Sequence, residues 1–397
     1  MFNKQLDNVY FSLITALFLL VNGLWFWKMG IMADADTKHY FQYAREIDEQ
    51  GLFYKPHYFW YMGYVLFILV FDKISQDPLI LVLAQYVLSY LSVWALYQSS
   101  LMLFDSKKTA LLTVALFLGF VFISFWNLFL YAESLLISLI CYSFYFLLRW
   151  NRGDLGKVGK VLALTIWIWA LMTKPTGLSV LLAVSVFFSV KLWNSWKSTT
   201  IKYFLAGLIL SAFLIVLNSM LHTFGFESDF TKGEILYNAR AFPEADYAKY
   251  MLVQVPENLW LAPSVWPPLL RLISLYVMNP FYAFQLVFLK VFYFLLDIRP
   301  YYSLAHNLAL LAFLPLVYFF FIKELLYGKV SVTLKITLLA FLAVHIFSNA
   351  FLTINWNTRF LVPMLPIVFL FASNQVSVFV ERLKDRKRFS FGINKAI

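Results

Sequence analysis

What most constrains this chain is a series of long apolar segments that recurs along its whole length. They cover residues 10–30, 78–104, 109–126, 134–148, 161–173, 178–190, 203–221, 308–322, 330–352 and 360–380. Most approach the roughly 20 helical residues that cross about 30 Å of hydrocarbon. Inside a bilayer the backbone has no water to bond, so each such segment must close its own hydrogen bonds as a helix. Of the 397 residues, 62% are hydrophobic and 13% charged, against about half and about a quarter in a soluble domain. The expected fold is an all-α polytopic membrane protein, a bundle of about ten transmembrane helices. Residues 1–397 are expected to form one integral membrane body.

Charge sets the expected topology. The first apolar segment ends in Trp25, Trp27 and Lys28, an interfacial belt with no small-residue cleavage site after it. It reads as a retained helix rather than a removed signal peptide. The basic connections are 107–108, 149–160, 191–202, 323–329 and the tail with Arg382, Lys384, Arg386, Lys387 and Arg388. The positive-inside rule places them in the cytoplasm, with Lys4 and the amino terminus. Segments 32–51, 131–133, 174–177, 222–266 and 355–359 then face outward. Parity makes 58–71 a re-entrant or surface-lying piece, and 269–297 two outer-surface helices or a hairpin, broken at Asn279–Pro280 and interrupted by Lys290. The net charge of +11 belongs to the cytoplasmic loops; without a soluble basic domain it does not indicate nucleic acid. The single cysteine, Cys141, excludes an internal disulfide and argues against thiolate chemistry.

Two outer stretches stand out. The first outer loop, 31–77, contains an amphipathic helix with Tyr40, Tyr43, Ala44 and Ile47 on one side. Lys38, Arg45, Glu46, Asp48 and Glu49 fall largely on the other side, and Gly51 stands at the C-cap. Such a helix lies in the membrane interface and would hold Asp34 and Asp36 at the boundary; alternatively Asp36 caps it. The second stretch is the large outer region 222–303. Its part 222–266 carries Glu227, Asp229, Glu234, Glu244, Asp246 and Glu257 against Lys232, Arg240 and Lys249, with no obvious secondary structure. It reads as a functional lid or a mobile segment. No internal repeat is evident, nor the inverted repeats of many transporters.

Ionisable groups near hydrocarbon are costly and usually functional. Asp34, Asp36, Glu133, Lys174 and Arg359, with Lys55, His57 and His306 nearby, come from different connections but one depth. Each also has a plain reading: Glu133 as a helix cap, Lys174 before Pro175 and Gly177 as an ordinary turn, Arg359 as a charge at a helix start. Together they suit displacement at a sugar carbon bearing a lipid-linked phosphate. A carboxylate positions or deprotonates the acceptor, and Lys and Arg neutralise the departing phosphate. A divalent cation, Mg or Mn, held by Asp34, Asp36, Glu133 and a histidine is chemically possible, although no compact ligand motif supports it.

The same residues carry a resemblance. Asp36-Thr-Lys-His-Tyr40 followed by Ala44-Arg45-Glu46 and Gly51 resembles the first outer loop of GT-C membrane glycosyltransferases. The nearest branch is the family 39 type, with protein O-mannosyltransferases and aminoarabinose transferases acting on lipid A. Lys55-Pro56 and Tyr61-Met-Gly-Tyr64, Tyr131-Ala-Glu133-Ser134, and Met172-Thr-Lys174-Pro-Thr-Gly177 are similar to later landmarks of that family. So are Tyr301-Tyr302-Ser303 with His306-Asn307, and Arg359-Phe-Leu-Val-Pro363-Met-Leu-Pro366, in the same order across most of the chain. Thr37 departs from the pattern, standing where many relatives carry a second acid. The resemblance implies a GT-C-like bundle and an inverting transfer from a polyprenyl-phosphate sugar on the outer face. It implies Asp36 as catalytic carboxylate with Glu133 in support, and Asp34, Lys55, His57, Lys174, Arg359, Tyr302 and His306 as substrate-binding. The expected partners are the lipid-linked donor, membrane lipids and a glycan, lipid or protein acceptor, in a bacterial inner membrane facing the periplasm or in the endoplasmic reticulum. The alternatives are a lipid-linked-sugar flippase or transporter and a non-catalytic lipid-binding subunit.

Overall fold

The computed structural model describes residues 4–236, 239, 246, 248–352 and 358–393. Arg240, Glu244 and Asn355 lie outside the described residues, as do the side chains of Lys4, Asp48, Asp229, Arg386, Lys387 and Arg388. In chain order the helices are α1 (Lys4–Met29), α2 (Ala35–Gln50), α3 (Met62–Asp72), α4 (Pro78–Phe104), α5 (Lys107–Gly119) and α6 (Phe122–Phe125). Then come α7 (Ala132–Arg152), α8 (Lys157–Thr173), α9 (Leu178–Ser195), α10 (Thr199–Leu221) and α11 (Phe226–Lys232). The last are α12 (Pro268–Met278), α13 (Pro280–Leu296), α14 (Leu304–Tyr327), α15 (Val332–Phe347) and α16 (Leu365–Ile393). Among the described residues, β-pairing is confined to two isolated bridges, Met32 with Phe129 and Glu234 with Leu252.

Eight helices, α1, α4, α7, α9, α10, α14, α15 and α16, are long and apolar enough to cross a membrane. Two bent pairs meet the same criterion jointly: Lys107–Gly119 with Phe122–Leu128 at 57°, and Pro268–Met278 with Pro280–Leu296 at 104°. The chain is an all-α polytopic membrane protein. The short segments 161–173 and 178–190 became α8 and α9, of 17 and 18 residues, on either side of a single 3-10 turn at Pro175–Gly177.

The polar residues inside the apolar segments set the helix ends and their register. Side chains of Asp77, Ser106, Ser198, Ser303 and Ser331 accept from backbone N–H groups in the first turns of α4, α5, α10, α14 and α15, donors that have no partner within the helix itself. The buried Gln85 amide of α4 donates to the carbonyls of Asn127 and Phe129 at 3.0 and 2.9 Å. Asn127 in turn donates to Asn22 of α1 and Ser89 of α4 and accepts from Ser134 of α7. Hydrogen bonds of this kind lock helices whose apolar faces alone would slide in lipid. Here they pin the first turn of α7, where Glu133 sits.

That helix also separates the two ends of the bundle. It carries Glu133 in its first turn and Arg149 and Arg152 in its last, and its 21 residues span about 31 Å at about 1.5 Å per residue. Around its basic end, Arg152 donates to the Met102 carbonyl, Lys108 pairs with Glu381 of α16, and the Lys107 ammonium lies over Tyr10. The basic connections thus gather at one end, and the membrane-proximal carboxylates at the other.

Two regions differ from their sequence reading. Residues 222–266 are not without structure: α11 and the Glu234–Leu252 bridge dock through Phe230, which packs on Tyr276 and Tyr282 and gives its carbonyl to the Tyr282 hydroxyl. The aromatic anchors lie in α12 and α13, more than forty residues away (Phe230 to Tyr276), so local pattern could not reveal them. Lys290 does not interrupt α13; it is 2% exposed inside it. The corner between α12 and α13 falls at Asn279–Pro280 as expected. Pro280 lacks a donor, and the Asn279 side chain both accepts from the Trp260 N–H and donates to the Trp260 carbonyl. Segment 58–71 divides into a 3-10 turn, Pro56–Tyr61, and α3, whose 11 residues reach only about 16 Å.

Candidate functional site

The site is built where the loop before α2 meets the first turn of α7, the turn between α8 and α9, and the approach to α16. Asp34 occupies the N-cap position of α2: its carbonyl accepts from the Thr37 N–H at 2.9 Å and its own N–H donates to the Thr37 hydroxyl at 3.2 Å. Capping therefore falls to Asp34 rather than Asp36. Asp36, in the first turn, is released for another partner. Tyr40, Tyr43 and Ala44 are buried and Ile47 half-buried, so the apolar stripe of α2 faces the bundle. Gly51 ends the helix at φ +81°, a left-handed conformation that glycine adopts without strain.

Four charges from four connections form one chain of ion pairs. Asp36 Oδ2 accepts from Arg359 Nη1 at 2.6 Å, and Arg359 Nε donates to Glu133 Oε1. The same Glu133 oxygen accepts from Lys174 Nζ at 2.6 Å. Aromatic faces wall the two cations: the Arg359 guanidinium lies 4.8 Å from the Tyr131 ring centre and the Lys174 ammonium 4.4 Å from that of Phe360. Glu133, Lys174 and Arg359 are buried, whereas the Asp36 side chain is 39% exposed. Burial lowers the Lys174 pKa to about 8 although Glu133 pulls it upward. Burial also disfavours the Arg359 cation, but Glu133, Tyr40 and Asp36 outweigh it and raise its pKa. Two anions and two cations balance, as a charged cluster removed from water must.

Asp36 and Tyr61 border two cavities. One, of about 310 Å³, is lined on its polar side by Asp36, Lys174, Thr176 and Arg359. Its far wall includes Met220, Ser348 and Leu352, which also line an apolar groove of about 510 Å³ between α9, α10, α12 and α15. The second cavity, of about 260 Å³, is bounded by Asp36, His39, Tyr40, Tyr43, His57, Tyr58 and Tyr61. Arrangement of this kind can hold an anionic head in the cationic cavity, its apolar tail in the groove, and a third group against Asp36 from the other side.

The remaining candidates separate cleanly. His57 borders the second cavity, with Nδ1 3.3 Å from the Thr223 carbonyl. Lys55 is exposed, its ammonium 5.2 Å from the Tyr58 ring centre, and lines neither cavity. Asp34 lines neither. Tyr302 and His306 stack on each other at 4.2 Å, His306 also on Phe122 at 5.1 Å, and both are absent from the two cavity walls. Sequence reasoning missed Thr176, His345 and Asn349. Among the described residues the Thr176 hydroxyl, both His345 ring nitrogens and the Asn349 amide lack a hydrogen-bond partner while 5%, 2% and 1% exposed. Buried polar groups are normally paired. The only sequence signal was a His and an Asn late in an apolar segment.

No group of three His, Cys, Asp or Glu side chains suited to a metal occurs among the described residues. Of the three carboxylates of the would-be cation site, Asp36 and Glu133 are instead bridged by Arg359, and Asp34 caps α2. The donors present do not fit a divalent ion. No protein-family model matches the chain, and no curated protein does.

Proposed function

We propose that the protein is an inverting glycosyltransferase that uses a polyprenyl-phosphate sugar at the outer face of its membrane. The observation that carries this reading is that the cation-walled cavity and the apolar groove adjoin, with Met220, Ser348 and Leu352 in the walls of both. A lipid phosphodiester is an anion on a long apolar chain, and both halves have a matching wall. The acceptor hydroxyl oxygen attacks the anomeric carbon from the side of Asp36, the bond from that carbon to the phosphate oxygen breaks, and the proton passes to the Asp36 carboxylate. Polyprenyl phosphate leaves with one more negative charge, which Arg359 and Lys174 offset; fixed charges placed where charge develops often contribute more to catalysis than any other effect. A single displacement inverts the anomeric centre. Glu133 takes the role of holding both cations in place. The order of landmarks shared with GT-C enzymes supports the same reading, and positive-inside logic puts the site on the periplasmic or lumenal side.

The test is to incubate the purified protein in nanodiscs with radiolabelled polyprenyl-phosphate sugars and cell-envelope extract. Acceptor-dependent release of free polyprenyl phosphate is expected. Movement of intact donor between leaflets without release would instead identify a flippase.

A further inference from the structure

The cavity on the far side of Asp36 differs in kind from the one that holds the cations. No lysine or arginine lines it among the described residues, and Asp36 is its only carboxylate. An anionic group there would meet the Asp36 carboxylate, whose counter-ion Arg359 lines the other cavity; the nearest lysine, Lys55, reaches only the rim, 3.5 Å from the Tyr58 hydroxyl. Its walls are aromatic and mutually braced. Tyr43 stacks on Tyr58 with ring centres 3.8 Å apart, Tyr54 meets the edge of Tyr58 at 5.3 Å, and Tyr40 packs against Tyr61 at 5.7 Å. Tyrosine offers broad amphipathic contact at little cost in side-chain entropy, and bracing removes what freedom remains.

The polar atoms suit a neutral, hydroxyl-rich ligand. Burial raises the pKa of Tyr40 and Tyr61, so their phenols stay protonated. Burial lowers that of His57, which is neutral at physiological pH. With Nδ1–H donated to the Thr223 carbonyl, the other ring nitrogen keeps a lone pair and accepts. At about 260 Å³ the cavity falls below the roughly 300–1,000 Å³ of drug-sized sites, which limits it to about one ring. A sugar ring has an apolar C–H face that lies on an aromatic plane and a rim of hydroxyls that both donate and accept.

We propose that this cavity is the acceptor subsite, and that the acceptor is an uncharged sugar residue held within the wall formed by Tyr40, Tyr58 and Tyr61, with a hydroxyl that reaches Asp36. The role of acceptor rests on the transferase reading above; the sugar site does not. Chemistry at Asp36 would then extend a glycan rather than modify a protein side chain or a phosphorylated headgroup.

The experiment is saturation-transfer-difference NMR on the full chain in nanodiscs. Its probes are methyl glycosides of neutral hexoses and pentoses, glucose 6-phosphate, and a serine- and threonine-containing peptide. At least one neutral glycoside should receive saturation at its ring protons, and glucose 6-phosphate and the peptide should receive none. Tyr58→Phe should keep the signal, and Tyr58→Leu should reduce it about fivefold, the scale of one lost aromatic face. His39→Ala, at an exposed position on the same wall, should also weaken it and serves if Tyr58→Leu does not fold. Absence of signal from every neutral glycoside would overturn the proposal. So would signals unchanged in both variants, or a signal confined to the peptide or the phosphosugar. Binding of undecaprenyl phosphate to the same nanodiscs is measured alongside. If that binding ignores Arg359→Ala while the glycosides behave as expected, the donor reading fails and the sugar site stands.

Discussion

A carboxylate paired with an arginine is a weaker base toward an acceptor than a free one. Asp36 is so paired, 2.6 Å from Arg359 Nη1, and a donor phosphate that engages Arg359 competes with Asp36 and sets it free. Asp36→Asn should therefore abolish transfer yet tighten binding of polyprenyl phosphate about fivefold, because a half-exposed ion pair is worth at most about 1 kcal/mol. Equal or weaker binding in that variant, measured by ligand titration, would remove the competition. Glu133→Gln should behave differently. It strips the shared anion from two buried cations, a change that costs about 3–5 kcal/mol; the variant should lose thermal stability as well as activity, while Asp36→Asn keeps it. Lys174 sets the pH limit. Burial brings its pKa to about 8, so the cation that meets the phosphate is lost above that pH, and kcat/KM for the donor should fall as pH rises through about 8. The sign for stability is opposite. The unfolded chain binds the proton up to the ordinary value of 10.5, so this group favours the folded state increasingly between about 8 and 10.5. In Lys174→Arg the alkaline limb should move upward; an unmoved limb would assign it elsewhere.

Elements differ in how far their residues disclosed them. The helix α2 was legible because its stripe has the helical period and its end has a glycine where φ must be positive. The Asp36-to-Arg359 pairing was not, since more than three hundred residues separate the two and nothing local links them. The turn between α8 and α9 lies between these cases. Lys174, Pro175 and Gly177 marked it, but its closeness to α8 is tertiary. A Cβ on Gly177 would stand 1.9 Å from the Ala170 carbonyl oxygen, which is backbone and cannot yield as a side-chain tip would. Gly177→Ala should force the turn off α8 and carry Lys174 away from Glu133. The expected result is a raised donor KM and a lost alkaline limb at about pH 8. Wild-type kinetics in a well-folded variant would show that the turn does not position Lys174.

At the scale of the whole molecule, bilayer physics made the architecture readable. Spans needed only length and apolarity, and their ends needed only the distribution of Lys and Arg. The two cavities and the groove were not readable, because residues of α9, α10, α12 and α15 compose the groove from positions scattered between 178 and 352. Orientation follows from charge by a statistical rule, and the transferase reading depends on it, since the lipid-linked sugar must meet its acceptor on the outer side. The chain itself supplies a clean way to measure it. Its one cysteine, Cys141, is fully buried in α7, so engineered thiols report over little background. Lys38 is exposed on α2 at the site end, and Lys157 is exposed at the start of α8 at the basic end. A membrane-impermeant maleimide added to intact cells should label Lys38→Cys and leave Lys157→Cys untouched until the membrane is permeabilised. The reverse pattern would place the four-charge cluster in the cytoplasm. The donor's head and the glycan acceptor would then meet on the inner face, and an outer-face transferase could not be sustained.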